Sequence, residues 1–93
     1  MAKFNLGVSD SALKELRDLD KQLTERIMVA LNELEDDPFK ARPKADIKKL
    51  KGFRNPDMFR LRVGDYRIVY TVLRNEVKIT HILKRSTIYK GLD

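Results

Sequence analysis

The chain has 93 residues, with 20 Lys and Arg against 14 Asp and Glu, a single His and no Cys. This length predicts one domain over residues 1–93 with a modest core, and the lack of cysteine excludes disulfides and thiolate metal sites. The chain starts without the long apolar run of a signal peptide, and no later apolar run could span a bilayer. The sequence therefore predicts a soluble cytoplasmic protein.

The charge is unevenly distributed along the chain. Residues 1–40 carry six Lys and Arg against nine Asp and Glu, a net charge of −3. Residues 41–93 carry fourteen against five, a net charge of +9. Such a concentrated cationic region favours a polyanionic partner, nucleic acid first, although a basic domain without such a partner has the same composition.

The N-terminal third predicts a strand followed by two helices. Residues 3–8 alternate apolar and polar side chains, as a half-buried strand does. Ser9 or Asp10 can cap a first helix, and Asp20 can cap a second one, because each offers a side-chain oxygen to free backbone amides. Pro38 ends the second helix. The acidic residues just before Pro38 oppose the helix dipole, so this end is expected to be frayed or exposed to solvent.

The rest of the chain predicts antiparallel strands. Residues 47–50 form a short strand candidate, and a turn follows at residues 53–57. The segments 59–63 and 66–73 flank Gly64-Asp65, which suits a two-residue hairpin turn with positive φ at its glycine. A further turn at residues 74–75 leads into a last strand. The predicted fold is therefore α+β: an N-terminal strand and a two-helix hairpin packed on a three- to four-stranded, mainly antiparallel sheet.

The central hairpin predicts a cationic face. If Gly64-Asp65 is the loop, Arg62 lies directly opposite Arg67, and both share a face with Arg60, away from the core. Like charges facing each other across strands are unfavourable, and residues 58–64 contain no carboxylate. We therefore expect an external anion on this face, flanked by the lysines of residues 48–51 and by Lys84 and Arg85. Alternatively, an acid from elsewhere in the chain neutralises the arginines, as on an ordinary solvated sheet.

These residues also carry a family resemblance. The segments that match are Lys49-Leu50-Lys51-Gly52, then residues 59–70, and finally residues 81–85 with Tyr89. In this combination and order the sequence resembles the RelE branch of the RelE/ParE superfamily of toxins, over nearly the whole chain. The resemblance implies a toxin that cleaves mRNA in the ribosomal A site and is restrained by a RelB-like antitoxin. It implies that the chain binds the ribosome, through its rRNA, and mRNA, and that it has no membrane partner.

The resemblance also implies site residues for an endoribonuclease. The residues implied for catalysis are Arg62, Arg67, Arg85 and Tyr89. Those implied for RNA binding are Lys49, Lys51, Arg60 and Lys84. The chemistry is metal-independent attack of the RNA 2′-OH on the adjacent phosphate, so no cofactor and no metal are expected. Arginines suit the phosphate charge, but they cannot accept a proton, which leaves the general base unassigned.

The sequence leaves open the faces on which Arg85 and His81 lie, and it allows other functions. Strict alternation from Val77 puts Arg85 on the core side, so we expect a bulge near Leu83. The same alternation puts His81 on the helix-packed side, where it is expected to be a hydrogen-bonded structural residue rather than a base. The alternatives to the endoribonuclease are a ParE-like inhibitor of DNA gyrase on the same fold, and a member that acts only in an antitoxin-bound repressor complex.

Overall fold

The computed structural model describes residues 3–84, and these residues form two helices on one side of a single sheet. The elements in chain order are β1 (Asn5–Val8), α1 (Asp10–Arg17), α2 (Lys21–Asp36), β2 (Asp46–Lys49), β3 (Met58–Val63), β4 (Tyr66–Leu73) and β5 (Glu76–Lys84). The α+β prediction is confirmed. Neither helix of the described residues is long and apolar enough to cross a membrane.

The sheet has five strands in the order β1-β5-β4-β3-β2, whereas the sequence predicts three or four strands. The additional strand is β1, which joins the sheet through parallel pairing with β5, while all other pairs are antiparallel. The backbone amides of Asn5 and Ser9 donate to the carbonyls of Asn75 and Ile79 at 2.8 and 2.9 Å. Pairing with β5 thus satisfies backbone groups that an isolated N-terminal strand would leave exposed.

Both helices begin where their capping residues predict. The Ser9 side chain accepts from the Ala12 amide at 3.1 Å, and the Asp20 carboxylate accepts from the Leu23 amide at 2.8 Å. The helices pack on the sheet through one apolar cluster that includes Ile27, Leu34, Leu61, Ile68 and Ile79. This cluster fixes which face of the sheet packs against the helices and therefore which face points away from them.

The C-terminal end of α2 is held by hydrogen bonds rather than frayed, although Asp36 is exposed to solvent, as expected from its acidic residues. The Arg42 guanidinium donates to the carbonyls of Glu33 at 2.8 Å and Asp37 at 3.0 Å. The Asp37 carboxylate accepts from the Phe39 amide at 2.8 Å and the Lys40 amide at 3.1 Å, and these bonds lower the pKa of Asp37. A cation from beyond the helix thus satisfies its last carbonyls, which the local acidic sequence does not indicate.

Tyr70 connects the end of α2 to the sheet. Its fully buried side chain stacks on Phe59 with ring centroids 5.5 Å apart, and its hydroxyl donates to the Pro38 carbonyl at 2.7 Å. Burial raises the pKa of the Tyr70 phenol well above its usual range. The prediction of a core aromatic with a polar tip is confirmed for this residue.

The hydroxyl of Tyr70 should contribute measurably to stability. Tyr70→Phe is expected to cost about 1–3 kcal/mol at pH 7, because the buried Pro38 carbonyl loses its donor. The folded-state pKa is raised, so this contribution is complete below the unfolded pKa of about 10 and is lost as the pH rises above it. Urea unfolding at pH 7 and at about pH 10.5, just above that unfolded pKa, measures the difference in free energy of unfolding between the wild type and Tyr70→Phe. This difference should be smaller at the higher pH. An equal difference at both pH values would contradict this account.

Candidate nucleic-acid interface

The sheet face that points away from the helices carries the three arginines of the central hairpin, and we call it the arginine face (Arg60, Arg62 and Arg67). Gly64 has a φ of 57°, as its place in the two-residue turn requires, and the predicted pairing of Arg62 with Arg67 is confirmed. One row across β2, β3 and β4 contains Asp46, Arg62 and Arg67. The other row on this face contains Lys48, Arg60 and Val69.

The two facing arginines differ sharply in exposure. Arg62 is exposed, whereas Arg67 retains only 1% of its accessible surface. The Nη1 of Arg67 donates to the carbonyls of Gly64 at 2.9 Å and Tyr66 at 3.2 Å, so the guanidinium is held against the turn of its own hairpin. The pair therefore combines a positive charge of fixed orientation with one that can reach a ligand in solvent.

Arg60 already has an acidic partner within the chain, which corrects the expectation that all three arginines await an external anion. Its Nη1 lies 3.1 Å from the Asp46 carboxylate and donates to the Asp46 carbonyl at 2.8 Å. Arg60 is itself buried, with 8% of its surface exposed. The absence of acids in residues 58–64 does not reveal this pair, because the carboxylate comes from the neighbouring strand β2. Alternation along β2 is the signal that places Asp46 on this face.

The lysines proposed to flank the arginines do not all share their face. Lys49 pairs with Phe59 in the register, so it lies on the helix side of the sheet, and its Nζ is 3.3 Å from the Asp57 carboxylate. Lys51 is exposed in the loop that follows β2. Lys48 pairs with Arg60 and therefore lies on the arginine face. The residues implied for RNA binding by the resemblance omit Lys48, although alternation from the buried Ile47 includes it.

The C-terminal candidates are placed only in part. Lys84 pairs with Tyr66 at the end of β5 and is exposed. Arg85 and Tyr89 lie outside the described residues, so their proposed roles stay predictions.

His81 is on the opposite face from the one expected. The β4–β5 register shifts between Val69 and Tyr70, which leaves Thr80 as the extra residue of a bulge and turns His81 to face Val69. The His81 side chain is 53% exposed, and its Nδ1 is 3.9 Å from the Glu15 carboxylate. The predicted position among the helix-packed residues is therefore wrong, although the His81 side chain still lies near α1 through Glu15. The predicted bulge exists, but it lies at Thr80, three residues before Leu83. A single extra residue in a strand reverses the alternation of the side chains beyond it, which is why His81 changes face.

The fold and the arginine face together define a small α+β protein with a cationic sheet face, and comparison with known proteins places it in a class of toxins. The family model for the "ParE toxin of type II toxin-antitoxin system, parDE" matches residues 6–89. The chain is 32% identical over 91 residues to the protein RelE1 of Methanocaldococcus jannaschii, covering 96% of this chain and 98% of the relative. It is also 32% identical over 77 residues to toxin RelE3 of the same organism, covering 83% and 85%.

A solved structure agrees with these relatives. The archaeal RelE in its complex with RelB from Pyrococcus horikoshii OT3 superimposes with a TM-score of 0.78 at 30% identity, over 92% of this chain and 99% of that one. The chain belongs to the RelE family of the RelE/ParE toxins.

Proposed function

We propose that this chain is a ribosome-dependent endoribonuclease, the toxin component of a type II toxin–antitoxin system, and that it cleaves mRNA in the ribosomal A site. The observation that carries the proposal is the pairing of the exposed Arg62 with the buried Arg67 on the sheet face that points away from the helices. Two like charges held opposite each other gain most when an anion binds beside them. Single-stranded mRNA supplies such an anion at every phosphate.

The proposed reaction is transphosphorylation. The 2′-OH oxygen of one nucleotide bonds to the adjacent phosphorus, and the bond from phosphorus to the 5′-oxygen breaks. A base takes the proton of the 2′-OH, and the 5′-oxygen takes up a proton from a general acid or from water. The products are a 2′,3′-cyclic phosphate on the upstream fragment and a 5′-OH on the downstream one. Negative charge accumulates on the phosphoryl oxygens, where preorganised cations lower the barrier most.

The residues divide this chemistry between them. Arg62 is the solvent-exposed member of the pair, so we assign direct contact with the phosphate to its guanidinium, which can donate two parallel hydrogen bonds. Arg67 adds a positive charge whose orientation is fixed by two carbonyls. Arg85 and Tyr89 are proposed from the resemblance to complete the site. The family's dependence on the ribosome would supply substrate alignment, which accounts for much of the rate in an enzyme without a strong base.

The proposed partner is a RelB-like antitoxin, because the archaeal relative from Pyrococcus horikoshii was solved as a RelE–RelB complex. The net charge of +6 favours a partner segment rich in Asp and Glu,. Such a segment would compete with RNA for the same cations.

Induction of this gene alone, followed by primer extension on abundant mRNAs, tests the proposal. The expected result is new 5′ ends inside translated codons within minutes of induction. Because the matching family model is described as a ParE toxin, inhibition of DNA gyrase is the second candidate function. Intact transcripts together with accumulating gyrase–DNA cleavage complexes would favour it.

The ion pair between Arg60 and Asp46 yields a further prediction. Asp46→Asn is expected to strengthen binding of a fluorescein-labelled, single-stranded RNA about threefold at low salt, because one negative charge leaves the arginine face. Asparagine keeps an oxygen that accepts from Arg60. Asp18→Asn, at the end of α1, is the matched control and should leave the affinity unchanged. Weaker binding by the Asp46 variant would mean that the carboxylate is needed to orient Arg60.

A further inference from the structure

A groove of about 720 Å³ lies between α2 and the turn that joins β3 to β4. We propose that this groove binds RNA phosphates beside the proposed cleavage site, with Arg26 and Lys44 as binding residues that the arginine face does not include. The inference rests on the proposed function, because it extends the path of the same RNA strand.

Three cations from three separate elements line the groove. Arg26 comes from α2, Lys44 from the segment before β2, and Arg62 from β3. Within residues 3–84, none of the three side chains makes a hydrogen bond or an ion pair with another residue. Convergence of unpaired cations is electrostatically costly in the free protein, and a polyanion relieves that cost.

The acids of the groove do not cancel these cations. Two carboxylates line it, Glu25 and Glu33. Glu33 is engaged by Arg42, whose Nη2 lies 3.4 Å from the Glu33 Oε1. Glu25 is left against the three cations, so the groove retains an excess of positive charge.

The groove is continuous with the arginine face. Arg62 belongs to both, and the Gly64 turn lies between Arg26 on one side and Arg67 on the other. A Cβ added at Gly64 would come within 3.3 Å of the Arg26 Nη2, while the Gly64 carbonyl accepts from Arg67 at 2.9 Å. An RNA strand whose phosphate is held at Arg62 can therefore place its next phosphates near Arg26 and Lys44.

The lining fits a sugar-phosphate backbone rather than a nucleobase. Its apolar lining consists of the aliphatic residues Val29, Ala30 and Val63, and it contains no aromatic ring, among the described residues, on which a base could stack. We therefore expect sequence-independent, salt-sensitive binding. The phosphates belong either to mRNA or to rRNA, and the experiment has one arm for each source.

Fluorescence anisotropy tests the groove. The protein is titrated into a labelled single-stranded RNA of about 12 nucleotides, within the usual site sizes of single-strand binders, at several salt concentrations. Arg26→Gln with Lys44→Gln is expected to weaken binding roughly tenfold at low salt and to reduce the slope of log K against log salt by about 0.7 for each phosphate that the variant no longer binds. Glutamine preserves helix propensity at position 26. Lys14→Gln with Arg17→Gln, at exposed positions on α1, removes the same two charges and is the matched control, which should leave both the affinity and the slope unchanged. Thermal unfolding confirms that all variants fold.

Cosedimentation of the same variants with ribosomes is the second arm. Weaker binding to the oligonucleotide assigns the groove to single-stranded RNA. Weaker binding to ribosomes with unchanged binding to the oligonucleotide assigns it to rRNA. Either result supports the proposal. Unchanged binding in both arms overturns it and leaves an acidic protein segment as the occupant. If the double variant at Arg26 and Lys44 binds RNA normally while Arg62→Ala prevents mRNA cleavage, the groove proposal fails and the proposed function stands. If the wild-type protein neither binds nor cleaves RNA, both fail.

Discussion

Arg62→Ala is expected to lower the rate of ribosome-dependent mRNA cleavage by about 10²–10³-fold while changing the free energy of unfolding by no more than about 0.5 kcal/mol. The guanidinium is exposed and makes no hydrogen bond within the described residues, so its removal leaves no buried group unsatisfied. Single-turnover cleavage on programmed ribosomes and urea unfolding measure the two effects separately.

Arg67→Ala provides the contrast. Cleavage should again fall, but the protein should also lose roughly 1–3 kcal/mol of stability, because the carbonyls of Gly64 and Tyr66 lose the donor that holds them,. Loss of toxicity in this variant therefore cannot be attributed to chemistry until folding is measured. Arg17→Ala, on α1, is the control for both variants and should match the wild type. Full cleavage by a folded Arg62→Ala protein would exclude Arg62 from the site.

Arg42→Ala is expected to destabilise the protein by about 2–4 kcal/mol without any direct effect on RNA chemistry, because three carbonyls at and just after the end of α2 would lose their partner together. The guanidinium donates to the carbonyls of Glu33, Asp37 and Lys40, the last at 2.6 Å, and its side chain is only 22% exposed. Charge-assisted bonds of this kind contribute more than neutral ones. Chemical denaturation at pH 7 measures the destabilisation.

Arg42→Lys sharpens the test. A lysine keeps the charge but cannot present two nitrogens to separate carbonyls, so we expect it to recover only a small part of the stability. Arg17→Ala again serves as the control, with a change within about 0.5 kcal/mol. If the lysine variant were as stable as the wild type, the charge alone would account for the stabilisation, and the hydrogen-bond geometry would not matter.

The central hairpin could be predicted because its register is specified locally. A two-residue turn at Gly64-Asp65 fixes which residues face each other, and the apolar alternation then decides which face is buried. The pairing of Arg62 with Arg67 follows from these two facts alone. The capping residues Ser9 and Asp20 are equally local, since each bonds an amide three residues ahead.

Features that depend on distant segments could not be predicted in this way. The ion pair between Asp46 and Arg60 requires the register of β2, which the irregular loop before β3 does not determine. Arg42 stabilises a helix end that the neighbouring acids alone would weaken. The alternation assigns His81 to the wrong face because one unpaired residue, Thr80, reverses it and leaves no signal in the hydrophobic pattern.

The most direct test of the proposed function is cleavage on purified ribosomes that hold a defined mRNA with an empty A site. We expect the wild-type protein to cut once, within the A-site codon, and to leave a 2′,3′-cyclic phosphate on the upstream fragment. The same mRNA without ribosomes should stay intact, and Arg62→Ala and Arg85→Ala should cut the ribosome-bound mRNA far more slowly than the wild type. Intact mRNA on the ribosome after addition of the folded wild-type protein would contradict the account.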